Sequence, residues 1–298
     1  MKEIVIISGK GGTGKTSITA ALATLATPRC VLADCDVDAA DLHLIVSPTV
    51  LQEQDFIGGR QARIQPLKCR GCGRCFSLCR FEAIEPVEYK KIFRVKETFC
   101  EGCRVCVEFC PAAAIDFVDA VNGRWFLSQT RFGPMAHAQL GIAQENSGKL
   151  VTLIRKEARQ LAEERHLDWI LSDGSPGIGC PVIASLTGAD LALIVTEPTQ
   201  SGCHDLMRVL DLTHHFKIPT AVCINKADIN PQAASQIRDL AKKKSLSKPI
   251  EIPYDPSITA AQIQAQSIIE YQNNSPAVQA ISRLWELIQK SLAKESVY

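Results

Sequence analysis

Two residue patterns in this 298-residue chain can do chemistry. The first is "GKGGTGKT", Gly9 to Thr16, which fits G-x-x-x-x-G-K-[ST]. Gly9, Gly11, Gly12 and Gly14 let backbone N–H groups turn inward around phosphate, with Lys10 and Thr13 between them. A helix that starts there adds its partial positive charge. Lys15 is placed to reach the β- and γ-phosphates, and the Thr16 hydroxyl to ligate Mg²⁺. The second pattern occurs twice. "KCRGCGRCFSLCRFEAI" carries Cys69, Cys72, Cys75 and Cys79, and "FCEGCRVCVEFCPAAAI" carries Cys100, Cys103, Cys106 and Cys110, 31 residues later. Each half spells C-x₂-C-x₂-C-x₃-C. A zinc site commonly takes two separated C-x₂-C pairs. Three cysteines in one tight loop instead present sulfurs to three corners of an iron–sulfur cube, so the repeat points to two [4Fe–4S] clusters.

Other residues extend these two sites. "WILSDGSPG" puts Asp173 at the end of an apolar strand, where a carboxylate can hold Mg²⁺ through water. "NKAD", Asn225 to Asp228, has the form of a guanine reader. Cys180 follows Asp173 by seven residues and reads either as a small buried residue before Pro181 or as a metal ligand shared between subunits. Cys203-His204 is a weaker metal pair. Cys30, Cys35 and Cys223 fall on apolar runs and read as core.

The elements that must position these residues follow from periodicity. "EIVIIS", "CVLADCD", "DWILSD", "LALIVTEP" and "PTAVCINKAD" read as buried strands, with helices between them near 149–165, 181–186, 202–216 and 231–243. Alternating apolar strands and helices imply a parallel sheet covered on both faces. From about Gly59 to Val118 the pattern breaks, the cysteines concentrate and long helices vanish. The expected domains are therefore 1–58 and 119–298, forming one α/β domain, with 59–118 inserted. The stretch "SPAVQAISRLWELIQKSLAK" is amphipathic along Val278, Ile281, Trp285, Ile288 and Leu292 and is expected to dock on the sheet.

Composition narrows the function classes. Net charge is +1, which recruits neither nucleic acid nor anionic membrane. No apolar run approaches the roughly 20 residues of a membrane span, and the N-terminus shows no signal core. With 13 cysteines, clustered, the chain is expected to be cytoplasmic, with reduced thiols that hold metal rather than disulfides.

With Lys10 at the start of the loop, the sequence resembles the deviant Walker A class, which includes MinD-type ATPases, Mrp-type cluster carriers and the nitrogenase iron protein. The resemblance extends to "ADCDVDAADL", "ENSGKLV" (Glu145 to Val151), "GIGCPVIASLTGAD" and "TEPTQSGCHD". It implies a doubly wound, mostly parallel P-loop NTPase sheet. It further implies that Lys10 reaches across a dimer interface to the partner's nucleotide and that Asp36 orients the attacking water and senses the γ-phosphate. Asn225, with Pro253 and Asp255 in "IPYDPSI", would form the base side, which favours ATP over GTP. The partner would be a second copy or a paralogous ATPase.

The cysteine repeat resembles a two-cluster bacterial ferredoxin, a small α+β fold. That resemblance implies crossed ligation: Cys69, Cys72, Cys75 and Cys110 on one cluster, Cys100, Cys103, Cys106 and Cys79 on the other. Arg80 departs from the usual Cys-Pro, which Cys110-Pro111 keeps. Together these imply an ATPase that couples ATP binding, hydrolysis and dimerisation to electron transfer through two clusters, serving a redox or metal-cluster partner. The alternatives are a cluster-assembly or carrier ATPase and a MinD-like positioning ATPase with structural clusters.

Overall fold

The computed structural model describes residues 1–141 and 146–294. Glu145, at the head of the "ENSGKLV" segment, lies outside the described residues, as do 142–144 and 295–298. The strands are β1 (Lys2–Ser8), β2 (Cys30–Asp34), β3 (Thr49–Ile64), β4 (Ile84–Pro86), β5 (Phe93–Val95), β6 (Ile115–Gln129), β7 (Pro134–Leu140), β8 (Trp169–Pro176), β9 (Leu191–Thr196), β10 (Thr220–Asn225) and β11 (Ile250–Ile252). The helices are α1 (Lys15–Ala26), α2 (Leu42–Val46), α3 (Arg74–Leu78), α4 (Val105–Glu108), α5 (Ser147–Glu164), α6 (Cys180–Leu186), α7 (Gln200–His215), α8 (Pro231–Lys243), α9 (Ser257–Ile263), α10 (Ile268–Tyr271) and α11 (Pro276–Lys294).

Two compact units emerge. The first is built from Met1–Glu53, Trp125–Gln139 and the chain from Ser147 onward. Its sheet runs β11-β10-β9-β1-β8-β2-β7, and every strand pair from β11 to β7 is parallel. Alternation along β1 explains the two apolar layers. Ile4 and Ile6 point into a core shared with Leu22, Leu171, Leu193, Ile281 and Trp285. Val5 and Ile7 point to the opposite face, against Val182, Leu206, Val209 and Ile237. The stripe of α11, from Val278 to Leu292, is buried in the first of these cores, and Trp285 meets Trp169 edge-on at 5.1 Å. Among the described residues no helix is long and apolar enough to cross a membrane.

The second unit comprises Gln54–Arg124 and a short stretch beginning at Leu140. Its main span begins earlier and ends later than the expected limits of 59–118. The cause is that β3 and β6, 16 and 15 residues long, carry the chain through both boundaries without a break. "GRWFLSQ" forms the last part of β6. Within the unit, β4 and β5 pair antiparallel. The sequence repeat is also a structural repeat: α3 holds Cys75 and α4 holds Cys106, each a single turn of helix. Each is preceded by a left-handed residue, Gly73 in one half and Arg104 in the other.

Gly174 lies inside β8, and a Cβ there would stand 2.7 Å from the Ile7 side chain and 2.9 Å from the Ile6 carbonyl. It lets two central strands approach closely.

Candidate functional site

The phosphate loop joins β1 to α1. Gly14 sits left-handed (φ 89°) just before α1, and a Cβ there would collide with the Asn225 side chain. Only glycine allows Asn225, at the end of β10, to donate through Nδ2 to the Thr13 carbonyl at 2.9 Å. Lys15 is buried, with its Nζ 3.8 Å from Asp36 Oδ2. Asp173, buried in β8, accepts from the Thr16 hydroxyl at 2.7 Å and from the Thr19 hydroxyl at 3.0 Å. The residues read from the sequence as lysine, threonine and carboxylate partners are thus brought together.

Asp34, at the end of β2, joins this group. It pairs with Asp173 in the β2–β8 register and is fully buried. Its Oδ1 accepts from the Asp36 N–H at 3.2 Å; among the described residues Oδ2 makes no hydrogen bond of ordinary geometry, with the Leu42 backbone nearby. Burial, reinforced by Asp173, raises the Asp34 carboxyl well above its ordinary range. Burial likewise raises Asp173, against the pull of Lys15. Asp36 is pushed up to about 6 by burial, with Lys15 opposing and Asp173 adding. Asp36 and Asp173 thus share one lysine, and Asp34 adds a third carboxyl beside them. The cluster is short of positive charge. A divalent cation held by Thr16 and Asp173 fits that deficit.

Beside this cluster lies a cleft of about 580 Å³, in the size range of ligand sites. Gly11, Gly12, Gly14, Lys15, Thr16 and Asp36 line its phosphate side. Leu44 and Ile45 of α2 line one flank, and Asn225, Lys226, Tyr254 and Asp255 the other. Pro253 is absent from the lining, and its neighbour Tyr254 takes that place. Gly9 packs against Asp205 of α7, and Thr13 is buried behind the loop. Asp228, the residue that would read guanine, is outside the lining and accepts the Tyr254 N–H at 2.7 Å. Lys10 turns away from the cleft onto Glu197 (3.5 Å) and the Ser201 hydroxyl (3.4 Å).

The cysteines of the second unit gather into two groups of four. Cys69, Cys72, Cys75 and Cys110 line one cavity. Cys79, Cys100, Cys103 and Cys106 line another. The fourth cysteine of each run therefore crosses to the other group. Backbone N–H groups of Ala83 and Ala114 donate to Cys79 Sγ and Cys110 Sγ, each at 3.3 Å. Burial, then the neighbouring sulfurs, pushes Cys106 up to about 11, and Cys75 rises for the same reasons. Arg80 is exposed and lines neither cavity, whereas Arg70 lines the first and Arg104 the second. Among the described residues no three His, Cys, Asp or Glu side chains converge to hold a single metal ion. That applies also to Cys180, exposed at the start of α6, and to Cys203, whose sulfur lies 4.0 Å from the Ala233 carbonyl.

A family model described as the CobQ/CobB/MinD/ParA nucleotide binding domain matches residues 4–268. The chain belongs to this family. Among relatives of this CobQ/CobB/MinD/ParA member, an uncharacterized protein of Methanocaldococcus jannaschii is 28% identical over 296 residues, covering 97% of this chain and 96% of its own. A second from the same organism is 25% identical over 281 residues, covering 92% and 94%. The MinD-like fold is shared with the septum site-determining protein MinD of Pyrococcus horikoshii, solved with Mg-ADP (TM-score 0.58, 18% identity, 97% and 96% covered). It is shared also with the MinC:MinD complex of Aquifex aeolicus (TM-score 0.59, 20% identity, 97% and 96% covered).

Proposed function

We propose that this chain is an iron–sulfur P-loop ATPase in which the state of a bound Mg·ATP governs the redox chemistry of the cysteine unit. Lys15 would neutralise charge on the β- and γ-phosphates, Thr16 and Asp173 would hold Mg²⁺, and Asp36 would orient the attacking water. No dedicated strong base is needed, because phosphoryl transfer depends on positioning and electrostatics. ATP is favoured over GTP by the engagement of Asp228 with Tyr254, which turns the guanine-reading carboxylate away from the cleft. Lys10 would complete the site of a partner subunit, either a second copy or a paralogous ATPase.

The residues of the second unit fit two [4Fe–4S] clusters. Each cavity presents four sulfurs around a space rather than upon one point, and backbone N–H groups already donate to two of those sulfurs. Cys69, Cys72, Cys75 and Cys110 would hold one cluster; Cys79, Cys100, Cys103 and Cys106 the other. Such clusters supply one-electron storage when bound.

One observation carries the coupling. Leu44 and Ile45 of α2 line the nucleotide cleft, and β3, which begins at Thr49, runs directly on into the cysteine unit. A change in the cleft is passed along the chain at that point. The client is then a redox or metal-cluster protein in the cytoplasm, without nucleic acid.

The exposure of Cys72 and Cys103 supports a second reading, a carrier whose clusters are transferable. A positioning role at a membrane is less supported, because the apolar stripe of α11 is spent on the core. Anaerobic purification followed by iron and sulfide analysis tests the reading: about eight of each per chain is expected. Cys72→Ala and Cys106→Ala should each disturb one cluster. A colourless, iron-free product contradicts it.

A further inference from the structure

We propose that Glu197 is a positioning residue for Lys10: it parks the lysine within its own subunit until a nucleotide-bound partner draws it away. This rests on the proposed reading of Lys10 as a residue that acts across a dimer. Glu197 directly follows β9, and its mostly buried carboxylate faces two lysines. Lys226 Nζ lies 2.6 Å from Oε1, and Lys10 Nζ lies 3.5 Å from Oε2. The Ser201 hydroxyl, itself 3.2 Å from the Thr199 hydroxyl, accepts from Lys10 at a loose 3.4 Å.

The asymmetry suits a releasable hold. Stripping the only counter-ion from a buried carboxylate is costly, because an unpaired charge is left behind. Here Lys226 remains at 2.6 Å when Lys10 departs, so Glu197 stays neutralised. Lys226 also lines the cleft, next to Asn225, so the residue that keeps Glu197 paired stands on the flank proposed for the base. The Lys10 contact is long and partly exposed, of a kind worth only about two- to fivefold per subunit. A symmetric dimer that releases two such contacts would gain up to roughly twentyfold once they are removed.

Two readouts on the full-length, anaerobically purified chain test this. In the nucleotide-free protein, Lys10 labelling by an amine-reactive reagent, read by mass spectrometry, should speed up several-fold in Glu197→Gln. It should return to the wild-type rate in Glu197→Asp. By sedimentation with saturating Mg·AMP-PNP, Glu197→Gln should dimerise about three- to twentyfold more tightly. Ser201→Ala should shift both readouts in the same direction by less, and it serves if Glu197→Gln fails to fold. Unchanged labelling, or dimerisation no tighter than wild type, overturns the proposal and leaves the role of Lys10 standing. A Lys10→Ala chain that dimerises like wild type overturns the trans role itself, and the parking role with it.

Discussion

Arg131 Nη2 donates a 2.9 Å hydrogen bond to the carbonyl of Ile45, and Ile45 lines the nucleotide cleft. Arg131 stands in the turn just after β6, the strand by which the chain returns from the cysteine unit. The same guanidinium donates to the Ala265 carbonyl at 2.9 Å and pairs with Glu270 at 2.5 Å. It thereby fastens α2 to the α9–α10 segment, whose Ile258, Thr259 and Gln262 line the cleft. We predict that Arg131→Met breaks the proposed link between the cleft and the cysteine unit. Mg·ATP should alter hydrogen exchange in β3 and β6 of the wild type and leave it unaltered in the variant. Nucleotide affinity should stay within about threefold. Arg131→Lys should behave like Met, since an ammonium cannot reproduce the fork.

Asp36 gives two expectations. Asp36→Asn should bind Mg·ATP yet hydrolyse it about 100-fold more slowly, as measured by phosphate release, a typical loss for a residue that positions a reacting proton or water. In the nucleotide-free chain its carboxyl is pushed up to about 6, with Lys15 opposing the rise. Mg·ATP carries net negative charge and draws Lys15 onto the phosphates, so the carboxyl should rise further and binding should take up a proton near and just above pH 6. Affinity should therefore strengthen as pH falls toward 6 and level off below it. A calorimetric titration at pH 5, 6 and 7.5 checks the sign.

Trp285 anchors α11 to the sheet. Trp285→Ala should cost about 3–5 kcal/mol, read from denaturant unfolding of the first unit. Trp285→Phe should recover most of that loss.

His137, on β7, is held down to about 4 by burial and then by His43, with Nε2 2.8 Å from the Ser128 hydroxyl. Its folded value lies below the unfolded value of about 6.5, so the unfolded chain binds the proton first. Stability should hold above that value and decline between pH 6.5 and 4, by about 2 kcal/mol at pH 5. His137→Gln should flatten this part of the pH profile in thermal melts.

Local pattern exposed much of this molecule before its structure. The strand runs ending in Ser8, Asp36 and Asp173, the glycine loop and the cysteine spacing are short-range signals, each readable within a dozen residues or so. What stayed hidden is carried by distant pairs. Asp34 looked like a neighbour of Asp36, because nothing in "ADCDVD" reveals that β2 registers it against Asp173. Arg131 meets Ile45 and Glu270 across 86 and 139 residues, and Glu197 meets Lys10 and Lys226, with no spacing to announce either. β3 escaped notice because "TVLQEQD" is exposed on both faces and so shows no apolar alternation. Of Pro253 and Asp255, both expected at the base side, Asp255 lines the cleft beside Tyr254 and Pro253 does not, a choice that loop register alone decides.

The central claim is that nucleotide in the cleft alters the chemistry of the cysteine unit. Its most direct test is the reduction potential of the anaerobically reconstituted chain, by spectroelectrochemistry, without nucleotide and with saturating Mg·AMP-PNP. The account predicts a shift of at least about 60 mV in one cluster, a tenfold change in a one-electron equilibrium, and its loss in Lys15→Met. Superimposable titrations with and without nucleotide would contradict it.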